Sequence, residues 1–268
     1  MSSITTAGRR VGRASFLVYS LAKRAIFARY LESLLGPLWA VITPLALLVI
    51  YSFVFAQVFQ TRWDVPGLES INFGLILFSG LLVFGFFAES VNGGTGVVSG
   101  NSALVKRTTL PLMSLPLLSL FVAGLTTALG SIPFIVFYGY ELGLPPVTVL
   151  LLPIVLIPLL LIVTGLTYGI AGLSVYFRDL VPAVSLLTTF ILFTSPIFYP
   201  ESAVPEDLQW VMKINPVAVA LAQTKSVLFA GTMPDWSQYG IYLGCSLLVL
   251  VFGLWLYRRV APGFADVI

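Results

Sequence analysis

Six long stretches without Asp, Glu, Lys or Arg constrain the fold more than any other feature of this sequence. They cover residues 34–59, 71–88, 112–140, 147–177, 180–200 and 240–257. A helix needs about 20 apolar residues to cross the hydrocarbon core of a bilayer, and each stretch approaches or exceeds that length. Only 9% of the 268 residues are charged, whereas a soluble domain carries about 25%. The pattern predicts an all-α integral membrane protein with six transmembrane helices in one domain, residues 1–268.

The basic residues predict the orientation of these spans. If the N terminus is cytoplasmic, 11 of the 14 Lys and Arg residues lie on the cytoplasmic side. Cytoplasmic loops carry an excess of Lys and Arg, so the bias places both termini in the cytoplasm. The acids between spans fall mostly on the opposite side, which agrees with this orientation.

Several kinds of chemistry are excluded by residues that the sequence lacks. It contains no histidine and a single cysteine, Cys245, which excludes an internal disulfide, the usual zinc sites and histidine general bases. A nucleotide-binding loop of the form GxxxxGK[ST] is also absent, because no Gly-Lys pair occurs. We therefore expect no catalytic residue, no metal site and no cofactor in this chain. The uncharged stretches also argue against ion-coupled transport, which usually uses ionisable groups at membrane depth.

Two segments on the predicted cytoplasmic side have features of their own. Apolar side chains recur at helical spacing in residues 14–31, which predicts an amphipathic helix containing Lys23 and Arg24. This helix would be an interfacial anchor, a docking surface for a cytoplasmic partner, or both. The glycine-rich segment 90–110 predicts a loop with a sharp turn, then a short helix presenting Lys106 and Arg107. Positive-inside bias alone would also explain that basic pair.

Residues 201–239 lie on the opposite side and are too long for a simple hairpin. Pro205, followed by two acids, is typical of a first helical turn. Asn215-Pro216 resembles a cap followed by a first-turn proline, and predicts a helix through Phe229 that stops at Gly231. About 14 residues reach roughly 21 Å, which is too short to cross. These helices would therefore lie on the outer surface, or dip into the membrane and return.

Seven aromatic residues are candidates for lining a passage, because aromatic rings stack on the apolar faces of sugars. They are Trp39, Tyr51, Phe86, Phe87, Tyr168, Phe198 and Tyr199. Charged candidates for contact with a cytoplasmic partner are Lys23, Arg24, Glu89, Lys106, Arg107, Arg178 and Asp179. Glu89 is predicted at the cytoplasmic end of the second span, where it would cap a helix, join an interface or meet a hydroxyl-rich or cationic substrate.

Five stretches of the chain together resemble the permease subunits of type-2 ABC exporters, in the branch that exports lipid-linked O-antigen. They read ARYLESLLGPLWAVITPL at 28–45, SGLLVFGFFAESVNGGTGVVSGNSALVKR at 79–107, YFRDL at 176–180, SPIFYP at 195–200 and INPVA at 214–218. The stretches occur in order along nearly the whole chain.

The resemblance implies partners and roles. The chain would form a homodimer in the bacterial inner membrane and bind two copies of an ABC ATPase, which would hold ATP and Mg²⁺. Residues 14–31 would be the interface helix, and segment 90–110 would contain the element that couples to the ATPase. The short helices in 201–239 would form an outer gate, with Pro205, Trp210, Asn215 and Pro216 as its candidate residues. A polyprenyl-diphosphate-linked glycan would pass between the two permeases, which also contact membrane lipid; no nucleic acid is implied.

Two alternatives remain open from the sequence. A type-2 ABC permease for teichoic acid, a drug or a smaller lipid would share the same features. A membrane-embedded lipid or sugar transferase would need acidic clusters or bases at the membrane face. The acids on the predicted cytoplasmic side are scattered, which disfavours the transferase.

Overall fold

The computed structural model describes residues 38–51, 53–54, 71–107 and 112–267, and within these ranges the chain is helical without strands. We number the α-helices α1 (Trp39–Tyr51), α2 (Phe73–Val97), α3 (Ser102–Arg107), α4 (Leu115–Leu142), α5 (Leu152–Leu173), α6 (Leu180–Thr194), α7 (Gln209–Ile214), α8 (Pro216–Lys225), α9 (Trp236–Val260) and α10 (Phe264–Val267). The predicted interface helix at 14–31, with Lys23 and Arg24, lies outside the described residues.

Four helical stretches are long and apolar enough to cross a membrane. They are Phe73–Val97, Leu112–Leu142, Val147–Leu173 and Trp236–Val267. At 1.5 Å per residue, even the 25-residue first stretch reaches roughly 37 Å, against about 30 Å of hydrocarbon. These four stretches correspond to the second, third, fourth and sixth predicted spans. The chain is therefore a multi-pass helical membrane protein.

The first and fifth predicted spans are represented by shorter helices. Helix α1 covers 13 residues of the predicted 34–59, and most of the remainder of that stretch lies outside the described residues. Helix α6 covers 15 residues, roughly 22 Å, and the chain then continues without α-helix to residue 200. The structure therefore supports four full-length spans and leaves the count of six as a prediction.

The glycine-rich segment after residue 90 is helical, which corrects the prediction of a sharp turn there. Helix α2 continues through Gly93, Gly94 and Gly96 to Val97. A Cβ at Gly94 would lie 3.2 Å from the backbone oxygen of Thr167 on α5, and a Cβ at Gly93 would lie 3.0 Å from Cβ of Ser119 on α4. These glycines therefore allow three long helices to pack closely, which overrides their low helix propensity. The short helix predicted after the glycines is present as α3, over Ser102–Arg107.

The closest backbone packing in the described part of the chain joins α5 to α9. A Cβ placed at Gly253 on α9 would overlap the carbonyl oxygen of Gly165 on α5. A Cβ at Gly165 would likewise overlap the carbonyl oxygen of Val249. Small residues permit such contact between membrane helices, where dispersion forces rather than water exclusion hold the helices together. The pair α5 and α9 therefore forms a closely packed unit.

Two clusters of buried side chains hold the bundle together. The larger cluster joins α2, α4 and α5 to α8 along most of the length of α2. The smaller cluster lies at one end, where it joins the C-terminal ends of α2, α5 and α9 to the start of α4 and to α10. The end with the smaller cluster carries the exposed residues Lys106, Arg178, Arg258 and Arg259, so we call it the basic end. The opposite end carries Glu141, Glu201, Glu206, Asp207 and Asp235, so we call it the acidic end.

Candidate functional site

Two tyrosine hydroxyls fix the backbone at the basic end. The hydroxyl of Tyr168 on α5 donates to the carbonyl of Met113 at 2.6 Å, and that of Tyr257 on α9 donates to the carbonyl of Leu112 at 2.8 Å. The two rings meet edge to face, with centroids 5.3 Å apart. We call these four residues the basic-end anchor. Since residues 112–114 follow shortly after α3, the anchor ties that region of the chain to the closely packed pair α5 and α9.

The charged candidates of the basic end occupy two exposed places. Lys106 is exposed on α3, which contacts the C-terminal helix α10; the side chain of Arg107 is outside the described atoms. Arg178 and Asp179 are exposed on the turn between α5 and α6. That turn is held by Tyr176, whose hydroxyl donates to the carbonyl of Val260 at 2.8 Å. Both places present charge to the solvent side of this end.

Glu89 lies within a helix long enough to span a membrane rather than at the end of that helix, which corrects its predicted place at the end of a span. Helix α2 extends eight residues beyond it, roughly 12 Å. The side chain is half-buried and accepts a hydrogen bond from the Thr126 hydroxyl of α4 at 3.3 Å. It is therefore not a helix cap. One turn further, Asn92 donates to Thr188 of α6 at 3.2 Å, so polar contacts cross between helices at this depth.

The aromatic candidates divide by burial. Phe87 and Tyr168 are 1% and 4% exposed, so they pack inside one chain and cannot line an open passage in this conformation. Trp39 is exposed on α1, and Tyr51 packs partly against the main core. Phe198 and Tyr199 are half-buried beside the exposed Phe193 of α6; the Phe193 and Phe198 rings are 6.2 Å apart, and Tyr199 donates to the Phe193 carbonyl at 2.6 Å.

Phe86 lines a large apolar groove of about 780 Å³ between α4 and α5. The groove lies between two of the four candidate spans and ends near the turn at Gly143–Pro145. Its walls are aliphatic and aromatic, with the hydroxyl residues Ser79 and Thr224 among its deeper members. This surface suits hydrocarbon rather than the hydroxyls of a sugar chain.

Asn215 organises the acidic end, as the cap prediction required. Its Oδ1 accepts from the backbone N–H of Val217 at 2.9 Å and of Ala218 at 3.3 Å, and Pro216 occupies the first turn of α8. Its Nδ2 donates to the side-chain oxygens of Thr194 and Ser195, each at 3.0 Å. One buried side chain thus caps α8 and binds the C-terminal end of α6.

The C-terminal end of the helix that begins at Pro216 also matches the sequence prediction. Five residues of π-helix, Ser226–Ala230, follow α8, and the helix stops at Gly231 with a φ of 65° in the left-handed region. The other predicted first turn, after Pro205, is present as Glu206–Leu208, followed by α7. Trp210 of α7 is exposed. The two predicted helices of segment 201–239 therefore exist, and no described helix there is long enough to span.

Lys225 is a buried amine beside this junction. It is 8% exposed, and its ammonium group donates to the backbone oxygen of Pro196 at 2.6 Å. Burial lowers the pKa of Lys225 to about 7, and the carboxylate of Glu201 partly opposes that shift. Since Pro196 follows α6, Lys225 provides a second tie between α8 and the end of α6. We call Asn215, Thr194, Ser195, Lys225 and Pro196 the acidic-end hub.

A family model and several curated relatives match the sequence of this chain over most of its length. The model described as "ABC-2 type transporter" matches residues 17–229. The chain belongs to the ABC-2 type transporter family. A relative from Myxococcus xanthus named "O-antigen export system permease protein RfbA" is 31% identical over 253 residues, 93% of this chain and 94% of that protein.

Other relatives of this ABC-2 family member are similar over the same length. A protein of the same name from Klebsiella pneumoniae is 27% identical over 254 residues, 94% of this chain and 95% of that protein. The "Polysialic acid transport protein KpsM" of Escherichia coli is 22% identical over 256 residues, 92% of this chain and 96% of that protein. Permease subunits of this family carry no ATPase of their own, so membership of the family implies an ATPase partner.

Lys225 is the functional candidate that sequence reasoning missed. The orientation predicted from the basic residues placed it only among the three Lys and Arg residues on the outer side. A helical projection would have revealed it, since Ala218, Leu221 and Phe229 share its face at spacings of seven and four residues. All three are buried. No sequence pattern predicts the anchor role of Tyr168 and Tyr257, because their hydroxyls donate to backbone carbonyls that are distant in sequence.

Proposed function

We propose that this chain is the permease subunit of an ATP-driven exporter that moves a lipid-linked polysaccharide of the O-antigen type from cytoplasm to periplasm. The observation that carries the proposal is the similarity, over more than nine-tenths of the chain, to permeases named for O-antigen export. A polysialic acid transport protein among the relatives supports a polysaccharide as the substrate class.

In the proposed topology the basic end faces the cytoplasm of a bacterium and the acidic end faces the periplasm. The exposed Lys106, Arg178, Arg258 and Arg259 support this orientation by the positive-inside rule. Helices α1 and α6 would complete the count of six spans, with both termini cytoplasmic. Helix α6 exposes Leu186, Phe190 and Phe193, and a second copy of the chain would cover part of this face.

The two ends of the bundle have different proposed roles. At the basic end, α3 would receive movement from two ATPase subunits, which bind ATP and Mg²⁺, and the anchor would transmit it to α5 and α9. At the acidic end, α7 and α8 would form a gate over the passage between two permeases. The hub supports this role because it connects α8 to the end of α6. The exposed ring of Phe193, with Phe198 and Tyr199 beside it, would offer stacking surfaces to the leaving glycan.

Complementation tests the proposed function directly. The chain and its own ATPase are expressed in a host that synthesises the O-antigen on its lipid carrier but lacks the permease gene. We expect surface O-antigen to be restored, measured by antibody labelling of intact cells, and intracellular lipid-linked glycan to fall. An ATPase variant unable to hydrolyse ATP is the negative control. Glycan that stays inside cells containing correctly inserted, ATPase-bound permease would refute the proposal.

A charge reversal tests the proposed ATPase contact. Lys106→Glu combined with Arg107→Glu is expected to weaken export and the stimulation of ATP hydrolysis. Arg259→Glu, an exposed substitution at the same end, controls for a general loss of positive charge. Full export and full stimulation in the double variant would remove α3 from the coupling surface.

A further inference from the structure

A small cleft at the acidic end is lined by both polar and apolar side chains, unlike the apolar groove between α4 and α5. It has a volume of about 270 Å³ and lies between the turn at Glu201–Ser202, helix α7, the first two turns of α8 and the first turn of α9. Its rim carries the side chains of Glu201, Gln209, Lys213 and Gln238. At about 30 Å³ of liquid per water molecule, the cleft holds roughly nine such volumes, which is enough for one pyranose ring with its hydroxyls.

The amide groups of the cleft are oriented by contacts behind them. Oε1 of Gln238 accepts from Nε2 of the buried Gln223 at 3.0 Å, which leaves the NH₂ group of Gln238 as a donor. Nε2 of Gln209 donates to the carbonyl of Val204 at 3.2 Å, which leaves its Oε1 as an acceptor. With the Glu201 carboxylate and the Lys213 ammonium, the rim offers both donors and acceptors. Hydroxyl groups, which donate and accept, match such a rim.

The floor of the cleft is apolar and buried. Met212, Ala218 and Val219 form it, and each is less than a tenth exposed. A pyranose ring has C–H groups on its faces and hydroxyls around its edge, so its face would cover this floor while its edge meets the rim. A lipid tail would leave the rim's polar groups without partners, which costs free energy.

The charge in the cleft does not select an anion. Its lining holds one carboxylate, Glu201, and one ammonium group, Lys213, and Glu201 also acts electrostatically on the buried Lys225. An anionic group in the cleft would have to approach the Glu201 carboxylate. The hydroxyls of a neutral sugar can instead donate to that carboxylate.

We propose that this cleft binds one neutral sugar unit of the exported glycan on the periplasmic face, beside the acidic-end hub. This inference rests on the proposed function and adds to it a substrate subsite outside the membrane passage. Glu201 is part of the rim and also acts electrostatically on Lys225, which is bonded to the end of α6. An occupied cleft would therefore lie next to the contact that holds the gate.

A binding experiment tests the cleft. The permease and its ATPase are reconstituted in nanodiscs, and the probe is the free repeat-unit oligosaccharide, without lipid or phosphate. Saturation-transfer NMR and titration should detect saturable binding to the wild type. The combined variant Gln209→Ala and Gln238→Ala should bind at least tenfold more weakly, since each lost hydrogen bond is worth a factor of several. Ser237→Ala, exposed on the same first turn of α9 but outside the cleft, should bind as the wild type does.

Each other outcome overturns a specific part of the inference. Equal binding by the wild type and the double variant would place the sugar elsewhere and refute the cleft. Inorganic phosphate that competes with the oligosaccharide in the wild type but not in the double variant would refute the neutral-sugar assignment. Complementation in cells distinguishes a failure of the cleft inference from a failure of the proposed function. Restored export without oligosaccharide binding would refute only the cleft, whereas absent export would refute the proposed function itself.

Discussion

Replacing Lys225 with methionine should stabilise the protein near neutral pH and impair the acidic-end hub. The side chain is buried, and its pKa falls from 10.5 to about 7. At about 1.4 kcal/mol per pH unit, that difference represents roughly 5 kcal/mol of unfavourable charge burial. Methionine has a similar length and no charge. It also loses the hydrogen bond to the Pro196 carbonyl, which costs about 1–3 kcal/mol. The expected gain is therefore about 2–4 kcal/mol.

The gain should depend on pH with a defined sign. Below about pH 7, Lys225 is protonated in both the folded and the unfolded chain, so the full cost of burying the charge is present. Between about pH 7 and 10.5, the folded chain has released the proton while the unfolded chain retains it, so the free energy of unfolding rises with pH. Above 10.5 the lysine is neutral in both states and the cost is gone.

Thermal unfolding in detergent measures this effect. Wild type and Lys225→Met are heated at about pH 6, 8 and 10, with unfolding followed by tryptophan fluorescence. The variant should melt several degrees above the wild type at the lowest pH, and the difference should vanish or reverse at the highest. Lys213→Met, at an exposed lysine of the same region, should follow the wild-type pH dependence. Parallel curves for wild type and Lys225→Met would refute the assignment of Lys225 as a buried, weakly basic amine.

Three further substitutions test the packing, the basic-end anchor and the acidic-end hub. Gly253→Ala should cost more than about 3 kcal/mol, because its methyl group would overlap the Gly165 carbonyl. Gly244→Ala, on the same helix with open space around it, should leave the melting temperature unchanged or slightly raised, because alanine favours a helix by up to about 1 kcal/mol over glycine. Tyr168→Phe removes one hydroxyl of the anchor, so it should cost about 1 kcal/mol and reduce ATP turnover coupled to export. Asn215→Ala should cost about 1 kcal/mol as a lost cap and more through the hub, seen as faster amide exchange in α8.

For each of these three substitutions, one result would contradict the structural argument behind the prediction. Equal melting temperatures for the two glycine variants would mean that α5 and α9 are not in backbone contact. Normal coupling by the Tyr168 variant at reduced stability would limit the anchor to a structural role. Unchanged exchange in α8 after the Asn215 substitution would mean that the asparagine does not hold this helix.

The sequence alone predicted those helix ends that depend only on residues adjacent in the chain. The cap at Asn215, the first-turn proline after it and the stop at Gly231 all occur as predicted, because each requires only a few adjacent residues. The long apolar stretches predicted the four full spans for the same reason, since a backbone in lipid must satisfy its hydrogen bonds within the helix. The family was also predicted from the sequence, on the five stretches that resemble type-2 ABC exporter permeases.

Only the tertiary structure decided which residues meet across the bundle. Gly93 and Gly94 looked like a turn, but their lack of a Cβ serves close packing of α2 against α4 and α5. That packing extends α2 and places Glu89 within a span, so the uncharged stretch at 71–88 did not mark the end of the helix. Lys225 was counted as an outer basic residue, yet the fold buries it against the Pro196 carbonyl. The uncharged runs thus determined that the chain enters the membrane, while contacts between distant segments, which no local pattern records, determined what each polar group does there.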